Sequence, residues 1–290
     1  MHPQRQLGSS DLMVGPIAYG CWRFADSTDS EALRKITTAV ECGMTLIDTA
    51  DVYGFDGAAG FGDAERVLGR VLADTPSLRD EIVLATKGGI DPGLPYDSST
   101  LVERCDRSLE RLGVDHVDLY QVHRPDLLAH PIDVAASLAH IRESGRAREV
   151  GISNFTPSQA RALAAAAAVP IATTQPEFSV SHTDPIDDGV LDLAMELGQT
   201  PLAWSPLGGG SLFDGQDSAL SEVLGEIAGT HRTDAASVSL AWVLAHPSRP
   251  IPIIGTQRVE RIRSSANATD VTISRAEWYR ILEASGRHLP

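Results

Sequence analysis

The sequence predicts an α/β protein, a (β/α)8 TIM barrel with an N-terminal β-hairpin and extra C-terminal helices, and three observations carry that expectation. Short apolar runs of strand length alternate with amphipathic helical stretches along the chain, as in a parallel sheet clothed in helices. Eight such runs can be counted, the number that closes a barrel. No G-x-G-x-x-G follows the first of them, which a dinucleotide-binding open sheet, the runner-up architecture, would be expected to carry. At 290 residues without a linker-like stretch, residues 1–290 read as one domain.

Each element has a local reason. Leu7 to Val14 reads as two short extended pieces around a Gly8-Ser9-Ser10-Asp11 turn, a hairpin able to plug a barrel end. Ile17 to Gly20 is the first strand, and the amphipathic stretch from Asp29 to Cys42 stops at Gly43. The second strand, from Thr45, ends in Asp48; a helix from Asp63 to Ala73 and the strand Ile82–Lys87 follow. Ser98 and Ser99 are cap candidates for a helix reaching Leu112. Val117–His123 is the fourth strand, and Pro131 opens a helix to Ser144. After the strand Arg148–Ser153, Thr156-Pro157 caps a helix whose alanine run, Ala164 to Ala168, is strong helix former. Ile171–Gln175 and Pro201–Trp204 are strands six and seven, separated by a helix from Asp188 to Leu197. The Gly-rich stretch Gly208 to Ser211 precedes helical patterns at Leu220–Ala228 and Ala235–Ala245. Ile251–Gly255 is the eighth strand and Val259–Ala268 its helix; an extra helix to Ala284 opens with the capping box Ser274-Arg275-Ala276-Glu277.

Composition narrows the function. The net charge of −15 repels nucleic acid and anionic membranes, so neither is expected as a partner. Apolar runs fall far short of the roughly 18 residues that span a bilayer. The N-terminus lacks a secretory pattern, and three cysteines, Cys21, Cys42 and Cys105, show no paired spacing. A cytoplasmic location is the expectation.

In such a barrel, chemistry sits at the carboxyl ends of the strands. There the sequence places Asp48 and then Tyr53, Lys87, His123, Ser153-Asn154, Gln175, Trp204-Ser205 and Gly255-Thr256. A phenol is a sluggish proton donor at neutral pH, a neighbouring ammonium lowers its pKa, and a carboxylate keeps a buried ammonium charged. Asp48, Tyr53 and Lys87 have those three roles available, and His123 can hydrogen-bond a substrate oxygen. Such a set suits carbonyl reduction. Taken singly, each residue has a structural alternative, because buried Asp–Lys pairs tie strands and a lone strand-end histidine often only fills space. A metal site from Asp48, His123 and His182 lacks tight ligand spacing, and Lys87 opposes it, so no metal is expected.

These motifs resemble those of the aldo-keto reductase superfamily, specifically its bacterial general oxidoreductase branch. They are Thr45-Leu46-Ile47-Asp48-Thr49-Ala50-Asp51-Val52-Tyr53-Gly54, Ala85-Thr86-Lys87, Leu119 to Pro125, Val150 to Phe155, Trp204-Ser205-Pro206-Leu207 and Pro252 to Thr256. The resemblance implies an NAD(P)H-dependent oxidoreductase with Tyr53 as general acid, Lys87 and Asp48 tuning it, and His123 positioning the carbonyl. It places Ser153, Asn154 and Gln175 at the nicotinamide carboxamide and Trp204 where a tyrosine often stacks on the ring. Ser205, Leu207, Gly208 and Gly209 begin a loop over the pyrophosphate. Many relatives carry a lysine where this chain has Gly255, so Thr256, Arg258 and Arg261 are expected to meet a 2′-phosphate, favouring NADPH/NADP+ over NADH. Arg263 is expected on a solvated helix face. Trp22 and Phe55 are expected to border an open pocket for aldehydes or ketones, with a rim reaching Gly62. A monomer is the default. The alternative is an NADP(H)-binding sensor or regulatory subunit of the same fold with little turnover.

Overall fold

The computed structural model describes residues 4–55, 60–90, 97–213 and 219–287. Its strands are β1 (Ala18–Gly20), β2 (Leu46–Asp48), β3 (Val83–Gly88), β4 (Val117–Val122), β5 (Ala147–Ser153), β6 (Ile171–Gln175), β7 (Thr200–Ala203) and β8 (Ile251–Ile254). Each pairs in parallel with the next, and β8 returns to β1 through Ile253 opposite Ala18 and Ile254 opposite Tyr19, closing the barrel. The predicted fold class is the one observed.

The hairpin pairs Arg5–Gln6 antiparallel to Met13–Val14. Leu7, Leu12 and Val14 are buried against Leu46, Leu119, Leu202 and Ile251, side chains from four of the barrel strands. The hairpin therefore corks the amino end, and each fully buried leucine or valine contributes about 1.5–3 kcal/mol of transfer free energy. At Gly8 (φ 55°) a Cβ would meet the Ala172 carbonyl oxygen at 2.6 Å, so the turn needs glycine.

Around the strands pack α1 (Asp29–Glu41), α2 (Asp63–Asp74), α3 (Leu101–Leu112), α4 (Pro131–Glu143), α5 (Pro157–Ala166), α6 (Val190–Leu197), α7 (Ala219–His231), α8 (Ala235–Leu244), α9 (Val259–Ser265) and α10 (Arg275–Ala284). The predicted caps at Thr156 and Ser274 form full capping boxes, and Pro131 and Pro157 open their helices. The start of α3 differs from expectation. Asp97, not a serine, caps the turn before it, its carboxylate accepting from Ser99 N at 3.0 Å, because a carboxylate reaches a turn amide as well as a hydroxyl does. Two one-turn helices, Leu78–Glu81 and Asp184–Asp187, went unpredicted; four residues show no periodicity. The eighth-strand helix ends at Ser265 and tightens into a 3₁₀ turn, Ala266–Asp270.

Candidate active site

Parallel register brings the strand ends level. Asp48 lies opposite Ala85 two residues before Lys87, Lys87 opposite Gln121, and Ser153 opposite Gln175. Between β5 and β6 the register shifts at Val150/Gly151, where a Cβ on Gly151 would meet Thr173 Oγ1 at 2.0 Å. Glycine there lets the two strands approach closely enough to align Ser153 with Gln175.

The structure assembles the expected tetrad. Lys87 Nζ, in a residue only 1 % exposed, donates to Asp48 Oδ2 at 2.6 Å and to the Thr49 carbonyl at 2.8 Å. The same ammonium lies 4.9 Å from the centroid of the Tyr53 ring. Tyr53 meets His123 edge to face, with centroids 5.9 Å apart and ring planes at 83°. Gln175 Nε2 donates to the second Asp48 oxygen at 3.3 Å. Both oxygens of this buried carboxylate are thus occupied, which a charge in a dry site requires.

Electrostatics follow from burial and neighbours. Burial pushes the Tyr53 phenol up; Lys87 pulls it back through charge and hydrogen bonding, and Asp48 opposes that pull. Burial works against the Lys87 ammonium, but Asp48 and Tyr53 outweigh it and hold its pKa above the ordinary lysine value. His123 is driven well below the usual histidine range by burial, then by the Lys87 and Arg124 charges. Its imidazole is therefore neutral at neutral pH, able to donate one hydrogen bond, and among the described residues its buried Nδ1 has no partner. The Cys21 thiol, pushed up by burial and by Asp48, is inert beneath the site.

A second cluster adjoins the tetrad. Asn154, at φ 61°, donates from Nδ2 to Ser153 Oγ at 2.8 Å and to the His123 carbonyl at 3.2 Å. Ser153 Oγ donates to the Gln175 carbonyl at 3.0 Å, and Trp204 Nε1 donates to Asn154 Oδ1 at 3.0 Å. Ser153, Asn154, Gln175 and Trp204 are thus one connected group, which the sequence named one by one without showing Asn154 as the hub. Ser205 (φ 48°) turns the chain out of β7, and Gly208 N closes that turn onto the Ser205 carbonyl at 2.9 Å. Leu207 leans on the core. A half-buried indole beside amide and hydroxyl groups offers an aromatic face and amide-recognising donors, a combination that fits a nicotinamide ring and its carboxamide.

The remaining predicted positions lie around the mouth. Gly255 and Thr256 form the turn after β8; Arg258 and Arg261 are exposed, and among the described residues neither has an ion-pair partner. Arg263 pairs with Glu41 at 3.6 Å on the surface, as a solvated helix face would. Trp22 and Phe55 stand out at 54 % and 52 % exposed, and the Arg23 guanidinium covers the Trp22 ring at 5.0 Å. Part of the rim expected between Phe55 and Gly62 lies outside the described residues. A groove of about 420 Å³ beside α10, lined by His246, Trp278 and Tyr279 among others, contains none of these strand-end groups.

Similarity to known proteins identifies the family. The aldo/keto reductase family model matches residues 16–285, and the chain belongs to that family. It is accordingly an NAD(P)H-dependent oxidoreductase of the aldo-keto reductase class. The chain is 48 % identical to a 6-dehydroglucose reductase of Novosphingobium aromaticivorans, over 99 % of this chain and 97 % of that protein. It is 37 % identical to a protein of the same name from Agrobacterium fabrum, over 96 % of each chain. The crystal structure of the thermostable aldo-keto reductase Tm1743 with the inhibitor epalrestat superposes with a TM-score of 0.85 at 26 % identity, covering 97 % of this chain and 99 % of that one.

Proposed function

We propose that the chain reduces aldehydes or ketones to alcohols with NADPH, with Tyr53 as the general acid. The observation that carries this reading is the closed set of contacts in which Asp48 holds Lys87, Lys87 lies under Tyr53, and Tyr53 meets a neutral His123. When bound, the nicotinamide cofactor supplies the hydride. Ser153, Asn154 and Gln175 hold its carboxamide, Trp204 covers the ring, Ser205, Leu207 and Gly208 border the pyrophosphate, and Thr256, Arg258 and Arg261 meet the 2′-phosphate. His123 donates to the substrate carbonyl and fixes its orientation, while Tyr53 gives its proton to the oxygen as charge develops there. Lys87 offsets part of the burial effect that would otherwise make the phenol too weak an acid.

The substrate we propose is a sugar-type aldehyde, in line with the names of the two relatives above. Trp22 and Phe55 flank its entry. We further propose a monomer acting in the cytoplasm; the three cysteines are free thiols, and among the described residues no helix is long and apolar enough to cross a membrane.

The test is NADPH oxidation with a reactive aromatic aldehyde and with a hexose dialdehyde. Tyr53→Phe should cut kcat by about 10²–10⁴-fold, the usual worth of a positioned acid, while NADPH still quenches tryptophan fluorescence. Undiminished turnover in that variant would sink the role of Tyr53.

A further inference from the structure

The turn after β8 is braced from beneath by a lysine far away in sequence. Lys35, on α1, is 6 % exposed, and its Nζ donates to Ser27 Oγ and to Gln257 Oε1, each at 2.8 Å, with the Phe24 ring centroid at 5.6 Å. Gln257 Nε2 passes the link on to the Gly255 carbonyl at 3.3 Å. Tyr19 OH donates to the Thr256 carbonyl at 3.1 Å, and Arg258 N to Thr256 Oγ1 at 3.3 Å. The shape of residues 255–258 is thereby set by side chains from β1 and α1.

Every acceptor that the Lys35 ammonium meets is neutral. Among the described residues no carboxylate lies within ion-pair distance of it, and Glu31, one helical turn away, is committed to capping Thr28. Burial accordingly lowers the Lys35 pKa, with Glu31 restoring part of it. A nearly buried cation without a counter-ion is costly, and the cost falls when an anion docks nearby.

We propose that Lys35 is a positioning residue for the nucleotide, fixing the Gly255–Arg258 turn through Gln257 and adding positive charge not paired with a carboxylate near the 2′-phosphate of NADPH. Gly255 has no side chain to contribute, and Arg258 and Arg261 are exposed, whereas Lys35 is a buried cation that reaches this turn through Gln257. This inference rests on the nucleotide reading above.

The test compares NADPH, NADH and adenosine 2′,5′-bisphosphate by tryptophan quenching on folded protein, checked by thermal melting. Lys35→Met should weaken NADPH and the bisphosphate roughly tenfold, the size of one partly screened charge, leave NADH within about a factor of two, and leave kcat at saturating NADPH unchanged. Lys35→Arg should restore the preference. Gln257→Leu, which cuts the link without touching α1, should lower NADPH affinity more than NADH affinity. Equal weakening of both dinucleotides by Lys35→Met, or unchanged NADPH affinity, would overturn the inference alone. Failure of the wild-type protein to bind either dinucleotide would instead sink the nucleotide reading on which it rests.

Discussion

Asp48 and Asp51 belong to one motif and are 2 % and 0 % exposed, yet their surroundings differ in kind. Asp48 ends β2 and meets Lys87 at 2.6 Å and Gln175 at 3.3 Å, so each oxygen has a donor. Asp51 lies past the strand end, toward α2 and α3; Arg104 stands 3.5 Å away, and among the described residues neither oxygen has a hydrogen-bond partner. Burial, then the Glu65 charge, pushes the Asp51 carboxyl up to about 7 despite Arg104 and Arg111. Glu65 itself is saturated, by Thr86 Oγ1 and by Arg111 Nε at 2.6 Å, so it offers Asp51 only repulsion. The contrast teaches that burial alone does not make a working carboxylate. Donors on both oxygens fit Asp48 to hold the Lys87 ammonium, whereas Asp51 is a proton-binding group.

The largest effect should come from breaking the saturated side. Lys87→Met leaves the Asp48 carboxyl buried and short of its main partner, which costs about 3–5 kcal/mol of stability. It also removes the cation beneath Tyr53, so kcat should fall at least about 10²-fold. Urea melts and steady-state rates on the same preparation check both. A variant with normal stability would show that Asp48 is no better anchored than Asp51.

Asp51→Asn sharpens the other side. A carboxyl whose folded pKa, about 7, lies above its unfolded value near 3.9 favours the folded state at low pH, and that advantage is lost as pH rises from the unfolded to the folded value. Wild type should therefore lose roughly 2–4 kcal/mol between mildly acidic and mildly alkaline pH at this site, while the asparagine variant does not. Melts at the two ends of that window should show Asp51→Asn gaining relative to wild type at the alkaline end, with kcat unchanged. An equal loss at both ends would mean that Arg104 holds Asp51 as tightly as Lys87 holds Asp48.

His123 titrates with the opposite sign. Its folded pKa is depressed, so its contribution is present above the unfolded value near 6.5 and is lost as pH falls. This loss on acidification should vanish from the acid limb of His123→Asn, measured by melts across mildly acidic pH. An unaltered acid limb would show that the imidazole already accepts a proton in the folded state.

The tetrad was legible in sequence because its members stand at strand ends, where an apolar run stopping at a polar residue marks the position, and because their order repeats a known family pattern. The barrel was legible for the same reason. Contacts between helices were not. Asp51 sits inside the motif, but its neighbours Glu65, Arg104 and Arg111 come from two helices whose facing sides only packing decides. Lys35 and Gln257 lie 222 positions apart, and nothing local marks either. Asp97 was hidden by two serines that were equally good cap candidates. Strand-end chemistry is local information, and helix-to-helix electrostatics is not.

The smallest predicted effect concerns the hub that joins the two clusters. Asn154 adopts a left-handed backbone, an uncommon state for a residue with a Cβ, and its side chain is held by Ser153, His123 and Trp204. Trp204→Phe keeps an aromatic face over the proposed nicotinamide position but removes the indole donor to Asn154 Oδ1. One neutral hydrogen bond contributes about 1 kcal/mol, so KM for NADPH should rise about fivefold while kcat changes little. His123 and Tyr53 are held by their own contacts, so the loosened amide should leave the acid unmoved. A fall in kcat as large as that from Lys87→Met would mean that Asn154, through the His123 carbonyl, sets the position of the imidazole, and that the two clusters act as one.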